Sequence, residues 1–87
     1  MEHYMLVIKS SCPYCKKAIQ LLKSEEKQFI YTDMEHAPPL LDAMKVASRW
    51  ETVPMVWKIN ANEDMSQPAG TAFLGGYTEL LEHFREK

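Results

Sequence analysis

The chain has 87 residues, is 46% hydrophobic and 25% charged, and contains 3 glycines and 5 prolines. This predicts a single small globular domain over residues 1–87 and excludes a disordered, collagen-like or low-complexity chain. The net charge of −2 gives no general reason to bind nucleic acid. The longest apolar run near the N-terminus, Tyr4–Ile8, is far short of the ~20 residues that a membrane span needs, and it lacks the flanks of a signal peptide. We therefore expect a cytoplasmic protein that does not associate with membranes.

Apolar periodicity predicts four strands and three helices in the order β-α-β-α-β-β-α. The first strand–helix–strand unit should be parallel and the last two strands antiparallel, so we predict an α/β fold with a mixed sheet and helices on both faces. The predicted strands are 5–8, 28–33, 55–59 and 71–74, the predicted helices are 13–23, 39–50 and one capped by Thr78, and residues 60–70 are predicted to be a loop. The predicted buried stripes are Cys15, Ala18, Ile19 and Leu22, then Leu40, Met44, Ala47 and Trp50, then Leu80, Leu81 and Phe84.

The only two cysteines, Cys12 and Cys15, lie in the basic first third of the chain, where residues 1–30 hold five lysines against three glutamates. Two cysteines are too few for the disulfide framework of a small secreted domain. A bridge across two intervening residues would also restrain the unfolded chain very little. In a cytoplasmic protein such a pair is therefore more consistent with catalysis or metal binding.

The cysteine pair comes where the first strand meets the first helix. The segment Ser10–Pro13 there supplies capping residues and a proline suited to the first helical turn. A thiolate on Cys12 would be stabilised by the unpaired N–H groups and the positive dipole end of that helix. Cys15, one turn on, would be placed to resolve a mixed disulfide on Cys12. Lysines near in sequence add positive potential: Lys9, Lys16 and Lys17.

Zinc is the main alternative for the two cysteines. A zinc site normally needs a second pair of Cys or His ligands, and the histidines at positions 3, 36 and 83 are scattered along the chain. We therefore predict no metal site.

Three motifs give the chain a family resemblance: Cys12-Pro13-Tyr14-Cys15, Thr52-Val53-Pro54 and Gly75-Gly76-Tyr77-Thr78. In this order and spacing they resemble the dithiol glutaredoxins of the CPYC type, in the thioredoxin-like superfamily, over most of the chain. The resemblance implies a thioredoxin-like fold and a glutathione-dependent thiol–disulfide oxidoreductase that serves electron transport and cell redox homeostasis. It implies no bound cofactor, glutathione as co-substrate, and a monomer that acts on disulfide-containing or glutathionylated proteins, with ribonucleotide reductase as a candidate.

The resemblance also implies roles for individual residues. The Val53–Pro54 bond would be cis, with the Val53 backbone presented to an incoming peptide, and Gly75-Gly76 would let a ligand approach the backbone closely. The start of the last helix would hold the γ-glutamyl end of glutathione, Lys9 would face its glycine carboxylate, and Tyr14 would form a wall. The implied glutathione-binding residues are Lys9, Tyr14, Thr52, Val53, Pro54, Gly76, Tyr77 and Thr78.

Two features depart from the family. Many members carry a glutamine on the second helix that helps to hold the glycine carboxylate, whereas this chain has Leu41-Asp42, leaving Lys45 or Arg49 as substitutes. The 60–70 loop is longer than usual, and we expect it to lie away from the reaction, roughly 15 Å or more from Cys12 at ~3.3 Å per strand residue. Two other functions remain open: a thioredoxin-like reductant regenerated by a flavoprotein reductase, and an iron–sulfur module in which Cys12 and external glutathione hold a cluster.

Overall fold

The computed structural model describes residues 2–61 and 68–86 of the chain. Over these residues it confirms the predicted α/β class: a four-stranded mixed sheet with helices on both faces, as in thioredoxin-like proteins. The elements in chain order are β1 (Glu2–Ile8), α1 (Pro13–Ser24), β2 (Gln28–Asp33), α2 (Pro38–Ser48), β3 (Met55–Ala61), β4 (Pro68–Gly75) and α3 (Tyr77–Arg85). None of the helices in these ranges has the length and apolar composition needed to cross a membrane.

The strand order β2-β1-β3-β4 brings three chain segments to one end of the sheet. β1 runs parallel to β2 and antiparallel to β3, with Val7 opposite Met55. β4 runs antiparallel to β3, with Gly75 opposite Val56. Because β1 and β4 end where β3 begins, the residues after β1, before β3 and after β4 lie together. Each of these three segments carries one of the sequence motifs.

The core lies on both faces of the sheet because side chains alternate along β1. Tyr4, Leu6 and Ile8 pack with α1 and α3 on one face, together with Cys15, Ala18, Leu22 and Leu80. Val7 packs on the other face with Met34, Leu41 and Met55, partly under α2. The predicted stripe of α1 is confirmed, with Cys15, Ala18 and Leu22 buried and Ile19 packed beside them.

The predicted stripe of α2 is confirmed only in part, since Met44 and Trp50 pack against the core beside Leu41. Leu41 is the buried residue of this helix, whereas Leu40 is 55% exposed and Ala47 is also exposed. The helix begins one residue earlier than predicted and ends at Ser48, since Arg49 adopts a left-handed conformation with φ 56°. Trp50 therefore follows the helix. Apolar residues on both sides of α2 made two stripes compatible with helical periodicity, and only packing distinguishes them.

The predicted 60–70 loop is too long at both ends. β3 continues to Ala61 and β4 begins at Pro68, where the two residues are paired after a register shift. Backbone pairing does not require apolar side chains, so the polar composition of this stretch concealed the strands. Pro68 is tolerated because it is the first residue of an edge strand. Residues 62–67 of the predicted loop lie outside the described residues.

Candidate active site

Cys12 occupies the N-cap of α1, with φ −90° and ψ 116°, and Pro13 begins the helix. The backbone N–H of Cys12 donates to the Lys9 carbonyl at 3.1 Å and closes the turn after β1. Its thiol is partly exposed and lies 3.7 Å from the Val53 carbonyl oxygen, to which it donates. The sequence offered Ser11 as a capping residue, but its side chain does not cap the helix. Its hydroxyl donates to the Glu35 carboxylate at 3.0 Å. The sulfur of Cys12 therefore lies at the helix N-terminus, as the sequence predicted.

Cys15 lies one turn further along α1 and is 1% exposed. Burial raises the pKa of the Cys15 thiol from its ordinary value of 9.0 to about 12. A hydrogen bond with the Cys12 side chain and the nearby charges of Cys12 and Asp33 act in the same direction, while a hydrogen bond from the backbone of Lys9 opposes them. Both cysteines are free thiols. At neutral pH the pair thus combines an accessible thiol with a buried, protonated one.

The second motif lies directly opposite Cys12. The Val53–Pro54 peptide bond is cis, as the resemblance implied, and Pro54 is fully buried. The carbonyl of Val53 faces the Cys12 thiol. The main chain of this segment therefore forms one side of the space in front of Cys12.

The third motif turns the chain from β4 into α3. Gly75 has φ +119°, and a Cβ built there would approach the Glu79 Cγ to 2.7 Å, so the turn requires glycine. Thr78 is not the cap of α3. Gly76 is the N-cap, and its N–H donates to Glu79 Oε1 at 2.7 Å. Glycine has no side chain that could cap the helix. The Glu79 carboxylate, three residues later, accepts the hydrogen bond from the Gly76 N–H.

A groove of about 340 Å³ lies between these segments. It contains seven of the eight residues predicted to bind glutathione: Tyr14, Thr52, Val53, Pro54, Gly76, Tyr77 and Thr78. Lys9 does not line the groove and is partly buried in the turn before Cys12. Sequence reasoning missed Trp50 and Glu79, which also line it. Trp50 had been assigned to a helix stripe, although it stands two residues before the second motif, and Glu79 directly follows the third.

Aromatic rings form the walls of this groove. The rings of Tyr14 and Tyr77 have centroids 6.0 Å apart, and Lys17 Nζ lies 5.1 Å from the centroid of the Tyr14 ring. On the other side Trp50 packs edge-on against Phe73 with centroids 5.6 Å apart. The Trp50 indole N–H is buried and meets no acceptor among the described residues. Aromatic side chains therefore stand on two sides of the groove.

The proposed replacements for the family glutamine lie beside the groove. Lys45 and Arg49 line a neighbouring depression that shares Trp50 with the groove.

The histidines were considered as metal ligands. The ring of His83 is hydrogen-bonded to the Tyr4 hydroxyl, with 3.1 Å between Nε2 and the hydroxyl oxygen. Within residues 2–61 and 68–86, no three His, Cys, Asp or Glu side chains come together as a metal site would need.

A CxxC pair at the start of the helix that follows β1, facing a cis-proline segment, is the arrangement of thioredoxin-like thiol–disulfide oxidoreductases. The sequence model of the family Glutaredoxin matches residues 4–62 of the chain, which is more than half of it. The chain therefore belongs to the glutaredoxin family, and family membership indicates thiol–disulfide oxidoreductase activity.

Solved structures agree with this fold. The solution structure of a glutaredoxin from Brucella melitensis is similar with a TM-score of 0.70 and 24% sequence identity, over 97% of this chain and 79% of that one. A structure described as "Metal Binding of Glutaredoxins" is similar with a TM-score of 0.55 and 24% identity, over 99% of this chain and 82% of that one. At this identity the likeness establishes the fold alone. No curated protein sequence matches the chain closely enough to count as a relative.

Proposed function

We propose that this protein is a dithiol glutaredoxin of the CPYC type, which uses glutathione to reduce protein disulfides and glutathione mixed disulfides. The observation that carries the proposal is the contrast between the two thiols of one motif. Cys12 is accessible at a helix N-terminus, whereas Cys15 is 1% exposed with its pKa raised to about 12. Such a pair has one nucleophile and one resolving thiol.

In the first step the Cys12 thiolate attacks one sulfur of a substrate disulfide. The substrate S–S bond breaks, its other sulfur leaves as a thiolate that takes up a proton, and a mixed disulfide links Cys12 to the substrate. Cys15 then loses its proton and attacks the Cys12 sulfur, which releases the second substrate thiol and oxidises the enzyme to an internal disulfide. Two molecules of glutathione are oxidised to glutathione disulfide as they restore the dithiol.

With a glutathione mixed disulfide the route is shorter. Cys12 takes the glutathionyl group, and a second glutathione from solution attacks that intermediate, so that Cys15 is not required. Because the Val53 carbonyl lies 3.7 Å from the Cys12 sulfur, a glutathionyl group on this sulfur would lie against the main chain of the second motif. Extended peptides commonly bind such a segment as an added strand does.

The charges around the groove suit the two ends of glutathione. The γ-glutamyl end carries a carboxylate and an ammonium group, and the groove offers it the first turn of α3, with Tyr77 and Thr78, beside the Glu79 carboxylate. The glycine end carries a second carboxylate, for which Lys17, beside Tyr14, and Lys45 and Arg49, beside Trp50, are candidates. Lys17 is already held over the Tyr14 ring.

We further propose that one chain is a complete catalytic unit without a bound cofactor, because a single chain supplies both thiols and the whole groove. Its substrates would be disulfide-containing or glutathionylated proteins of the cytoplasm, with ribonucleotide reductase as a first candidate. The test is reduction of a glutathione mixed disulfide by the wild type, Cys12→Ser and Cys15→Ser. Glutathione alone should sustain turnover. A requirement for a flavoprotein reductase would instead favour a thioredoxin-like reductant.

A further inference from the structure

A depression of about 330 Å³ adjoins the catalytic groove at the C-terminal end of α2, and we call it the α2 depression. It is lined by Lys45, Val46, Arg49, Trp50 and Glu51. Trp50 lines the groove as well, so the two spaces meet at this residue. A ligand that is longer than the groove can therefore continue past Trp50 into the α2 depression.

The α2 depression carries two positive charges that the described residues leave unpaired. Lys45 is partly buried and Arg49 is exposed, and within residues 2–61 and 68–86 neither side chain forms a salt bridge or a hydrogen bond. Glu51 is exposed and pairs with neither of them. Two cations against one anion leave a net charge of +1 here, although the whole chain has a net charge of −2. This local charge attracts a carboxylate.

The boundary between the two spaces also has a hydrogen-bond donor without an acceptor. The indole N–H of Trp50 is buried and meets no acceptor in the part of the chain that the structure describes. Its backbone N–H, by contrast, donates to the Lys45 carbonyl at 3.0 Å. Buried N–H groups are nearly always hydrogen-bonded in folded proteins, so this donor indicates a missing acceptor. Together with the two cations it makes the α2 depression rich in donors, which suits an oxygen anion.

We propose that the α2 depression binds an acidic side chain of the protein substrate, within a few residues of the cysteine that Cys12 attacks. The inference rests on the proposed function and adds a substrate class to it: disulfide-containing proteins with Asp or Glu beside the reacting cysteine. When such a disulfide is reduced, the substrate chain takes the place of glutathione against the Val53 main chain. Glutathione is a tripeptide, whereas a protein chain continues beyond the groove and meets the α2 depression at Trp50.

The glycine carboxylate of glutathione does not need this depression. Lys45 and Arg49 do not line the groove itself, whereas Lys17 lies over the ring of Tyr14, which does. Lys17 can therefore serve glutathione, and the two cations beyond Trp50 remain available for a longer chain.

The test follows the transfer of a peptide onto Cys12 in the Cys15→Ser variant, without glutathione. Each peptide has one cysteine joined by a disulfide to thionitrobenzoate, and carries Glu, Gln or Lys at the positions two and three residues away on either side. The Cys12 thiolate attacks the peptide sulfur, the S–S bond breaks, and the coloured thionitrobenzoate thiolate leaves, so absorbance gives the rate constant. Each rate constant is divided by that for free dithiothreitol, which corrects for the effect of the flanking charges on the disulfide.

The Glu peptide should react about fivefold faster than the Gln peptide, and the Lys peptide more slowly, because exposed ion pairs contribute modestly. This preference should fall as the salt concentration rises, since salt screens exposed charges. Equal corrected rates for the Glu and Gln peptides would overturn the inference and leave the role of Cys12 intact. Failure of every peptide to react would overturn the proposed function as well.

Substitutions in the Cys15→Ser background locate the preference. Lys45→Gln or Arg49→Gly should each lower it to about twofold, and the two together should abolish it. Arg49→Gly keeps the fold, because glycine is the usual residue at a left-handed helix end such as that of Arg49, with φ 56°. Glu51→Gln should raise the preference, since it removes the anion of the depression.

Lys23→Gln is the matched control. It removes the same charge from an exposed lysine in the last turn of α1, at the other end of this helix from Cys12, and should keep the preference for the Glu peptide. A preference that Lys23→Gln lowers as much as Lys45→Gln does would show an effect of net charge alone and would overturn the inference.

Discussion

The Cys12 thiol donates to the carbonyl oxygen of Val53 across 3.7 Å, a contact between residues 41 positions apart in the chain. It joins the N-cap of α1 to the segment that precedes β3. An S–H group can donate in this contact, whereas a thiolate cannot and would leave the carbonyl free. Loss of the proton from Cys12 therefore releases a backbone acceptor beside the nucleophile.

The two thiols should differ in alkylation. With iodoacetamide near pH 6, Cys12 should react much faster than Cys15, because Cys15 is buried and its raised pKa keeps it protonated. In a Cys12→Ser variant the alkylation rate of Cys15 should keep rising as the pH passes 9. Peptide mass spectrometry of each site measures both rates. Equal rates at pH 6 would contradict the assignment of Cys12 as the nucleophile.

The two cysteines should also separate two activities. Cys15→Ser should keep removal of glutathione from a mixed disulfide and lose most reduction of protein disulfides, because only the latter needs a resolving thiol held at high effective concentration. Cys12→Ser should lose both activities. Paired assays on the three proteins test this, and complete loss of deglutathionylation in Cys15→Ser would indicate an obligatory dithiol.

Burial of Cys15 should make stability depend on pH. Its folded pKa, about 12, is above the ordinary value of 9.0, so the neutral thiol favours the folded state below pH 9. That contribution is lost as the pH rises from 9 towards 12 and amounts to about 4 kcal/mol at most. Urea unfolding of the reduced protein at several pH values should show a steeper loss for the wild type than for Cys15→Ala. Parallel pH profiles would refute the effect.

Gly75→Ala should destabilise the protein more than Gly70→Ala. Both glycines have positive φ, +119° and +109°, so an alanine is strained by at least ~1–2 kcal/mol at either place. At Gly75 the new Cβ also meets Glu79 Cγ at 2.7 Å, whereas at Gly70 it meets nothing within 4 Å. Urea unfolding measures the free energy of unfolding of both variants, and the difference between the two losses gives the cost of the contact with Glu79. Equal losses would show that the Glu79 side chain moves aside without penalty.

Glu79 should have two separable roles. Glu79→Ala removes the acceptor for the Gly76 N–H and should lower the free energy of unfolding by ~0.5–2 kcal/mol, whereas Glu79→Gln keeps an acceptor and most of the stability. Both variants remove the charge from the groove and should raise the KM for glutathione. Glu82→Gln, an exposed change on the same helix, is the control. An unchanged KM in Glu79→Gln would limit this residue to capping.

The sequence predicted much of the fold because its local signals agreed. β2 was predicted with its observed bounds, because Gln28–Asp33 is rich in aromatic and β-branched residues. α1 was predicted within a residue because proline marks its start and a single apolar stripe marks its buried face. The buried stripe of α2 was predicted only in part because both Leu40 and Leu41 fit a helical stripe, and the choice between them depends on how the helix packs on the sheet.

The three motifs predicted most of the candidate site, and the missing parts depend on tertiary contacts. Trp50 enters the groove because α2 ends at Arg49, which adopts a left-handed conformation. Apolar periodicity does not predict this end of the helix. The capping role of Glu79 depends on a turn at Gly76 that replaces the expected Thr78 cap. Lys9 does not line the groove, and it takes part in the turn before Cys12 through its carbonyl, which accepts from the Cys12 N–H.

Much of the surface near Cys12 is main chain. The carbonyl of Val53 faces the thiol, and a Cβ added at Gly76 would lie 3.5 Å from the Pro54 carbonyl oxygen. A surface built from peptide groups keeps its shape and its hydrogen-bonding groups when neighbouring side chains are exchanged. Proteins with this backbone can therefore diverge widely in sequence, provided that the glycines and the proline that set its course are kept.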